Sequence, residues 1–411
     1  MKKYILLSVG VLMVLGSFAQ NKNFTYKFYG QIRTDLYYNS RANEETVDGL
    51  FYMYPKDIKE DADGKDLNAT ANGSFYTLYT RAGLDVTGPM LGKAKTSAKI
   101  EVDFRGSGTS YSMIRLRHAY LSLDWKKSGL LLGQAWHPLY GDVAPQILNL
   151  ATGAPFQPFS RAPQIRYQYK VSDVRLTAAA IWQSQYLSAG PAGKSQNYIK
   201  NSCVPEFYVG ADYKKNGWLI GAGVELLSLK PRTESVMKDA DGNDNTYKVD
   251  ERITTLSYEV HLKYTNKDWF VAAKSLLGSN LTHTSMLGGY GIKEVDQRTG
   301  EQEYTPIRNS STWVNVVYGQ KWKPGVFLGY IKNLGTKDAL VSKSLYGTGT
   351  DVDQVVTGGV ELTYNLPHWK FGLEYTLCSA WYGDLNVSNG KITDTHSVRN
   401  NRVVATAIFM F

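Results

Sequence analysis

Apolar and polar residues alternate through 96–105, T-S-A-K-I-E-V-D-F-R: Ala98, Ile100, Val102 and Phe104 fall on one face, Lys99, Glu101, Asp103 and Arg105 on the other. Alternation at period two marks a strand whose two faces meet different surroundings, and it dominates the chain. It predicts a tight hairpin, 113–125 then 129–137, followed by a segment with little periodicity, 138–161. A long aperiodic connection within regular architecture usually carries function or is disordered. Four prolines (Pro138, Pro145, Pro155, Pro158) and the aromatics Tyr140, Phe156 and Phe159 argue that this one holds a shape.

The connections between strands sort by length. Short turns are expected at 89–93, 126–129, 171–173, 214–217, 265–268, 323–325 and 365–368. Long loops are expected to begin near Ser40, Gly106, Pro138, Ser184, Pro231, Ser279, Lys332 and Gly383. Seven turns alternating with eight loops divide the chain into sixteen strands. An even strand count with short turns at one end and long loops at the other predicts an all-β fold, a 16-stranded antiparallel transmembrane β-barrel. Prolines fit this map, with Pro89, Pro324 and Pro367 in turns and Pro163 and Pro205 at strand starts, where a missing ladder donor is tolerated.

Composition agrees. The 411 residues include 29 Tyr, 14 Phe and 9 Trp at a mean hydropathy of −0.31. The opening M-K-K, the apolar run 4–15 and the site Ser17-Phe18-Ala19 read as a cleavable signal peptide, 1–19, leaving 20–411 as the barrel domain. No other stretch approaches the ~18 apolar residues a membrane helix needs. Aromatics flank the short turns: Tyr213 and Trp218, Tyr264 and Trp269, Tyr364 and Trp369, with Trp125 and Trp322 in the same relative place. Amphipathic rings are at home at headgroup level, so a girdle is expected. In the last strand, Asn401, Val403, Ala405, Ala407, Phe409 and Phe411 share one face, which suits a closing strand and a terminal assembly signal. The net charge of +9 is mild and dispersed, so nucleic acid is not implied.

Catalytic and metal motifs are sparse. The six histidines form no H-x-x-x-H pair and have no nearby Cys, so neither a metal site nor a cofactor is expected. There is no G-x-S-x-G elbow, and no enzyme activity is expected. D-A-D-G occurs at 61–64 and at 239–242; without the closing glutamate of a complete calcium loop, both read as ordinary turns. Cys203 and Cys378 read as isolated thiols.

Function is argued from the lumen. Assigning the apolar face to lipid turns Arg33, Arg81, Lys99, Arg105 and Arg166 inward, against Asp35, Asp85, Glu101 and Asp103. The 138–161 loop offers one acid, Asp142, before Arg161. Rings of arginine and lysine favour anions. A modest anion preference follows, opposed by Glu206, Asp212, Glu225, Glu259 and Glu374 on later strands. Cross-strand pairing of these charges is the alternative. The hairpin itself carries a parity conflict, because Arg115 and Arg117 share a face with Ala119, Leu121, Leu123 and Trp125. Either a β-bulge near 118–120 turns both arginines into the lumen, or the strand stays regular and they lie on the outer rim.

I-R-L-R-H-A-Y-L-S-L-D-W at 114–125 and L-L-L-G-Q-A-W at 130–136 resemble a hairpin of the outer-membrane porin superfamily. They are most similar to the DcaP-like porins and more distantly to the phosphate-selective porins. The resemblance implies a homotrimeric sixteen-stranded barrel whose third loop folds inward, with 138–161 as the constriction loop. It also implies small anionic solutes such as dicarboxylates. One departure is the missing N-terminal coiled segment, since the first strand begins near Phe24; another is the short loop 106–112. The expected protein is therefore a passive diffusion channel in a Gram-negative outer membrane, touching lipid and lipopolysaccharide. The rivals are a barrel used for display or adhesion through the loops at 40–73 and 279–311, and a substrate-specific transporter.

Overall fold

In the computed structural model, residues 23–46, 51–104 and 113–411 are described. The expected signal peptide, Arg105 and the loop 106–112 lie outside them. Sixteen antiparallel strands close into one barrel. The first, β1 (Thr25–Asn39), pairs with both segments of a broken β2, Asn72–Tyr76 and Arg81–Thr87. Next come β3 (Lys95–Asp103), β4 (Arg115–Asp124), β5 (Ser128–Trp136), β6 (Arg161–Val171) and β7 (Val174–Ile181). The second half holds β8 (Glu206–Lys215), β9 (Trp218–Leu229), β10 (Ile253–Thr265), β11 (Trp269–Ser279) and β12 (Gln302–Tyr318). It ends with β13 (Trp322–Gly335), β14 (Val352–Asn365), β15 (Trp369–Asn386) and β16 (Lys391–Met410). Closure is made by β16 on β1, extended by Gly30 and Phe411, which exchange backbone hydrogen bonds of 3.0 and 3.1 Å.

Side chains sort as the alternation dictates. On β3, Ile100 is exposed on the outside while Glu101 and Asp103 are buried within. The girdle is present at the short turns, and four of its tryptophans meet a tilted ring on the neighbouring strand. Trp218 meets Tyr264 at 4.6 Å, Trp269 meets Tyr318 at 4.7 Å, Trp322 meets Tyr364 at 4.6 Å and Trp369 meets Phe409 at 4.8 Å. Rings facing outward on adjacent strands are direct neighbours, whereas rings either side of a turn need not be.

Two connections differ from expectation. The turn before β13 is at 319–321, and Pro324 lies inside β13 opposite Leu362. Pairing with β12 starts only at Gly325, so the proline's missing N–H interrupts no bond on that side. No long loop begins at Gly383. That residue sits at a register shift, β15 runs on to Asn386, and the turn 387–390 joins it to β16. The resulting hairpin is tied to the first loop by His396 Nε2 and Asp57 Oδ1, 2.6 Å apart.

Both D-A-D-G segments are aspartate-capped turns. Asp61 Oδ1 accepts from the N–H of Asp63 (2.8 Å) and Lys65 (2.9 Å), and Asp239 Oδ1 accepts from Asp241 (3.0 Å) and Asn243 (2.9 Å). Cys203 is exposed and Cys378 buried, and both are free thiols.

Candidate functional site: a lumen crossed by its third loop

The third loop leaves β5 at His137 and returns at Ser160, whose carbonyl accepts the His137 N–H at 3.0 Å. Between these points it crosses the barrel and lies along the far wall. Lys274 on β11 donates to the carbonyls of Leu139 and Tyr140, and Lys263 on β10 to that of Asp142 at 2.5 Å. Asn315 on β12 accepts the Gln146 N–H at 2.7 Å. At the tip, the Leu148 N–H meets Glu374 at 2.7 Å and Glu361 at 3.0 Å, while Arg33 donates to the Leu148 carbonyl at 2.6 Å. On the way back, Ser311 holds the Phe156 carbonyl at 2.8 Å and Trp313 Nε1 donates to Gln157 at 2.9 Å. A loop without regular structure must have its backbone polar groups paired when buried, and the wall supplies the partners.

Wall glycines make room for it. A Cβ on Gly329 would stand 2.7 Å from the Phe156 ring, and one on Gly372 would stand 2.6 Å from Leu148. The loop's aromatics join a cluster at its root. Tyr140 stacks on Trp136 at 3.9 Å, and Phe159 packs edge-on against Trp136 (5.0 Å), Tyr186 (5.7 Å) and Phe51 (4.9 Å). Phe51 brings in the first loop, whose segment Phe51–Pro55 is buried throughout. The sixth loop also turns inward, burying Thr282–Thr284 and giving the Thr284 carbonyl to the Phe159 N–H at 2.6 Å. Sequence reasoning missed both inward turns. The uncharged run F-Y-M-Y-P at 51–55 is the signal that marks the first.

The parity conflict at β4 ends in a bulge. Register jumps between Glu101/His118 and Val102/Leu116, so Arg117 is the extra residue. Leu116 and Leu121 then face outward, and both arginines face the interior. Arg117 bonds Glu101 at 2.6 Å and Asp103 at 3.0 Å; Arg115 bonds Asp103 at 2.7 Å; Arg81 stands 3.5 Å from Glu101. Three arginines thus share two carboxylates. Tyr79, where β2 breaks, lies under the guanidinium groups of Arg81 (4.9 Å), Arg33 (5.1 Å) and Arg117 (5.8 Å). Arg33 is paired with Asp35 at 2.7 Å and Lys99 with Asp85 at 2.7 Å.

Arg161 is buried against Trp136 at 4.6 Å and donates to Tyr186 at 2.9 Å. Arg166 donates to Gln164 at 2.8 Å and to the Trp136 carbonyl. Neither has a carboxylate within ion-pair distance among the described residues. Asp142 of the third loop is bound by Arg175 at 2.7 Å. Arg81, Lys99, Arg115 and Arg166 keep partial access to the lumen, whereas Arg33, Arg117 and Arg161 are buried.

Spacing along the chain pairs no histidines, but the fold does. His137, Glu206 and His283 converge with one ligand atom each inside a 4.8 Å span. They come from the end of β5, the start of β8 and the sixth loop, so no local motif could announce them.

Residues 17–185 match the family model of the DcaP outer membrane protein. Among curated proteins, none matches the chain. Solved structures share the fold at low identity. A loop L8 deletion mutant of OmpT, an outer membrane protein of Vibrio cholerae, aligns with a TM-score of 0.56 at 12% identity over 95% of this chain and 100% of that one. OmpF of Salmonella typhi aligns with a TM-score of 0.53 at 12% identity over 95% and 99%. The trimer form of in-vitro folded Vibrio cholerae OmpT gives 0.54 at 14% identity over 95% and 100%. The chain has the porin-type barrel fold, and over residues 17–185 it is similar to the DcaP outer membrane proteins.

Proposed function

We propose that the barrel is a passive diffusion channel for small hydrophilic solutes, with a preference for anions such as carboxylates or phosphate. The observation that carries the preference is the imbalance on β2–β6. There, Arg81, Arg115 and Arg117 share Glu101 and Asp103, while Arg161 and Arg166 have no carboxylate within ion-pair distance among the described residues. A solute between this wall and the third loop meets fixed cations that need no reorganisation to receive it. The loop's single acid is bound by Arg175, which it shares with Asp212.

Export by the leader 1–19 and assembly as a homotrimer in contact with lipid and lipopolysaccharide belong to the same reading. The trimer form of Vibrio cholerae OmpT supports the assembly. The inward turn of the first and sixth loops leaves less surface for display than their lengths suggest.

Planar-bilayer recording of the purified protein under a salt gradient tests the proposal. Open channels with a reversal potential of anionic sign are expected. Closed channels overturn the channel reading, and a cationic sign overturns only the preference.

A further inference from the structure

The cluster at the root of the third loop is built unlike the rest of the lumen. Elsewhere the buried acids of the wall face a guanidinium, an ammonium or backbone N–H groups, and where His261 joins Asp212 and Glu259 it does so beside Arg175 and Lys274. Here Glu206, fully buried on β8, faces two imidazoles: His137 Nε2 lies 2.7 Å from its Oε1 and His283 Nε2 lies 3.0 Å from its Oε2. Both histidines are 1% exposed.

Hydrogen bonding leaves this place unfinished. Neither ring nitrogen of His283 has a hydrogen-bond partner among the described residues, since its approach to Glu206 is out of line for one. Glu206 Oε2 also lacks a well-aligned partner, its neighbours being His283 and Glu225, and the carboxylate of Glu225, wholly buried on β9, has only Glu206 and Ser257 beside it without a well-aligned bond. A neutral imidazole always carries one N–H, and a buried donor or acceptor left unpaired costs roughly 1–3 kcal/mol. Several such atoms gathered in one spot imply that something else completes them.

We propose that His137, Glu206 and His283 form a site for a divalent transition-metal ion, zinc in the first instance, which pins the root of the third loop to β8 and the sixth loop. Two imidazoles and one carboxylate are a zinc-type donor set that leaves a fourth position open. Ligand atoms around tetrahedral zinc stand about 3.3 Å apart, so a trio whose ligand atoms all lie within 4.8 Å of one another closes on the ion through small side-chain movements. Glu225 lies within reach of Glu206 as a further oxygen donor or as an acceptor for zinc-bound water.

Binding reaches the loop through His137. Its Nδ1 accepts the Leu139 N–H at 3.1 Å, so in the metal-free neutral ring the proton is on Nε2, shared with Glu206. Coordination through Nε2 moves that proton to Nδ1. The ring stays neutral, and the bond from Leu139, in the first turn of the loop, is given up. An occupied site therefore changes how the loop is held.

The test uses the purified full-length barrel in detergent. Equilibrium dialysis against zinc with elemental analysis should give one ion per chain, with affinity falling about tenfold or more in His283→Gln and Glu206→Gln. His396→Gln, at the exposed hairpin, should bind as the parent does. Cobalt added to the parent protein alone should give visible d–d bands of a low-coordinate nitrogen–oxygen site, a readout that needs no variant to fold. Zinc stoichiometry and affinity unchanged by His283→Gln, or cobalt spectra of the hexa-aqua ion only, would overturn the proposal and leave a hydrogen-bonded His–Glu–His group.

Discussion

The wall made by β1–β7 and the wall made by β8–β16 obey the same alternation and end in opposite conditions. The first carries Arg81, Lys99, Arg115 and Arg166 with partial access to the lumen. The second carries Glu225, Glu259, Glu361 and Glu374, all buried, the last two beneath the third loop's tip. One loop produces the difference. By spending its backbone N–H groups and carbonyls largely on the second wall, it covers Glu361 and Glu374 there and leaves Arg81, Lys99, Arg115 and Arg166 of the first wall uncovered by its backbone. On the proposed reading, the charge a solute meets follows from which wall the loop covers more than from the total charge of the lumen.

Removing the loop is the most direct way to break this contrast. Replacing 139–158 by a short Gly-Ser linker should raise single-channel conductance several-fold. It should also pull the reversal potential towards the cationic side, because Glu361 and Glu374 would lose Leu148 and face water. Higher conductance with anion preference intact would mean that the covered acids do not matter.

Charge changes on each wall come next. Arg81→Gln with Arg166→Gln should bring selectivity close to neutral, while Glu259→Gln, on the covered wall, should leave it within error of the parent. Glu259 bonds Tyr208 at 2.9 Å and stands 3.3 Å from Lys274, so it is spoken for. Equal shifts from the two walls in bilayer recordings would erase the distinction.

A smaller perturbation leaves every charge in place. Gly372→Val sets side-chain atoms where Leu148 packs, and overfilling a close-packed site typically costs ~1–3 kcal/mol. Urea unfolding of the folded barrel should show that loss, with conductance noise rising as the tip leaves Glu374. Gly359→Val is the control, because a Cβ there has only ordinary contacts, the nearest at 3.4 Å.

Sequence legibility follows the same division. Strand number and the inward face of Lys99 or Glu101 are legible because alternation is local and lipid tolerates no error in it. The placement of β12–β13 is not, since K-P-G at 323–325 has turn chemistry yet sits where β13 pairs on one side only. Gly383 misleads likewise, as a glycine at a bulge looks like a glycine opening a loop. The bulge at Arg117 is half legible: the parity conflict announces it, and only the register shows which residue is extra. The crossing of the third loop could be expected from its prolines and the family resemblance, but its partners could not. Arg33 reads as a pore charge in sequence, and it is the donor that holds Leu148. Interactions across 115 residues leave no local trace.

The smallest expected effect lies at the mouth, where the first loop is clamped beside the arginine wall. Arg41 Nη1 meets Asp66 Oδ2 at 2.6 Å, and Asp66 Oδ1 accepts from the N–H of Asn68 at 2.9 Å and Lys59 at 3.1 Å. Burial pushes the Asp66 carboxyl upward, but these bonds outweigh it and hold it below its ordinary range. A carboxylate depressed in the folded state adds stability at all pH values above its unfolded pKa, about 3.9. That stability is lost as pH falls through the lower folded value. Protease cleavage within 57–70 should therefore stay slow at neutral pH and accelerate only below about pH 4. Asp66→Asn should cleave faster at neutral pH and lose the acid dependence. Selectivity at neutral pH should be unchanged in that variant, because Asp66 belongs to the mouth and to neither wall. A shifted reversal potential would instead extend the charged wall outward into the first loop.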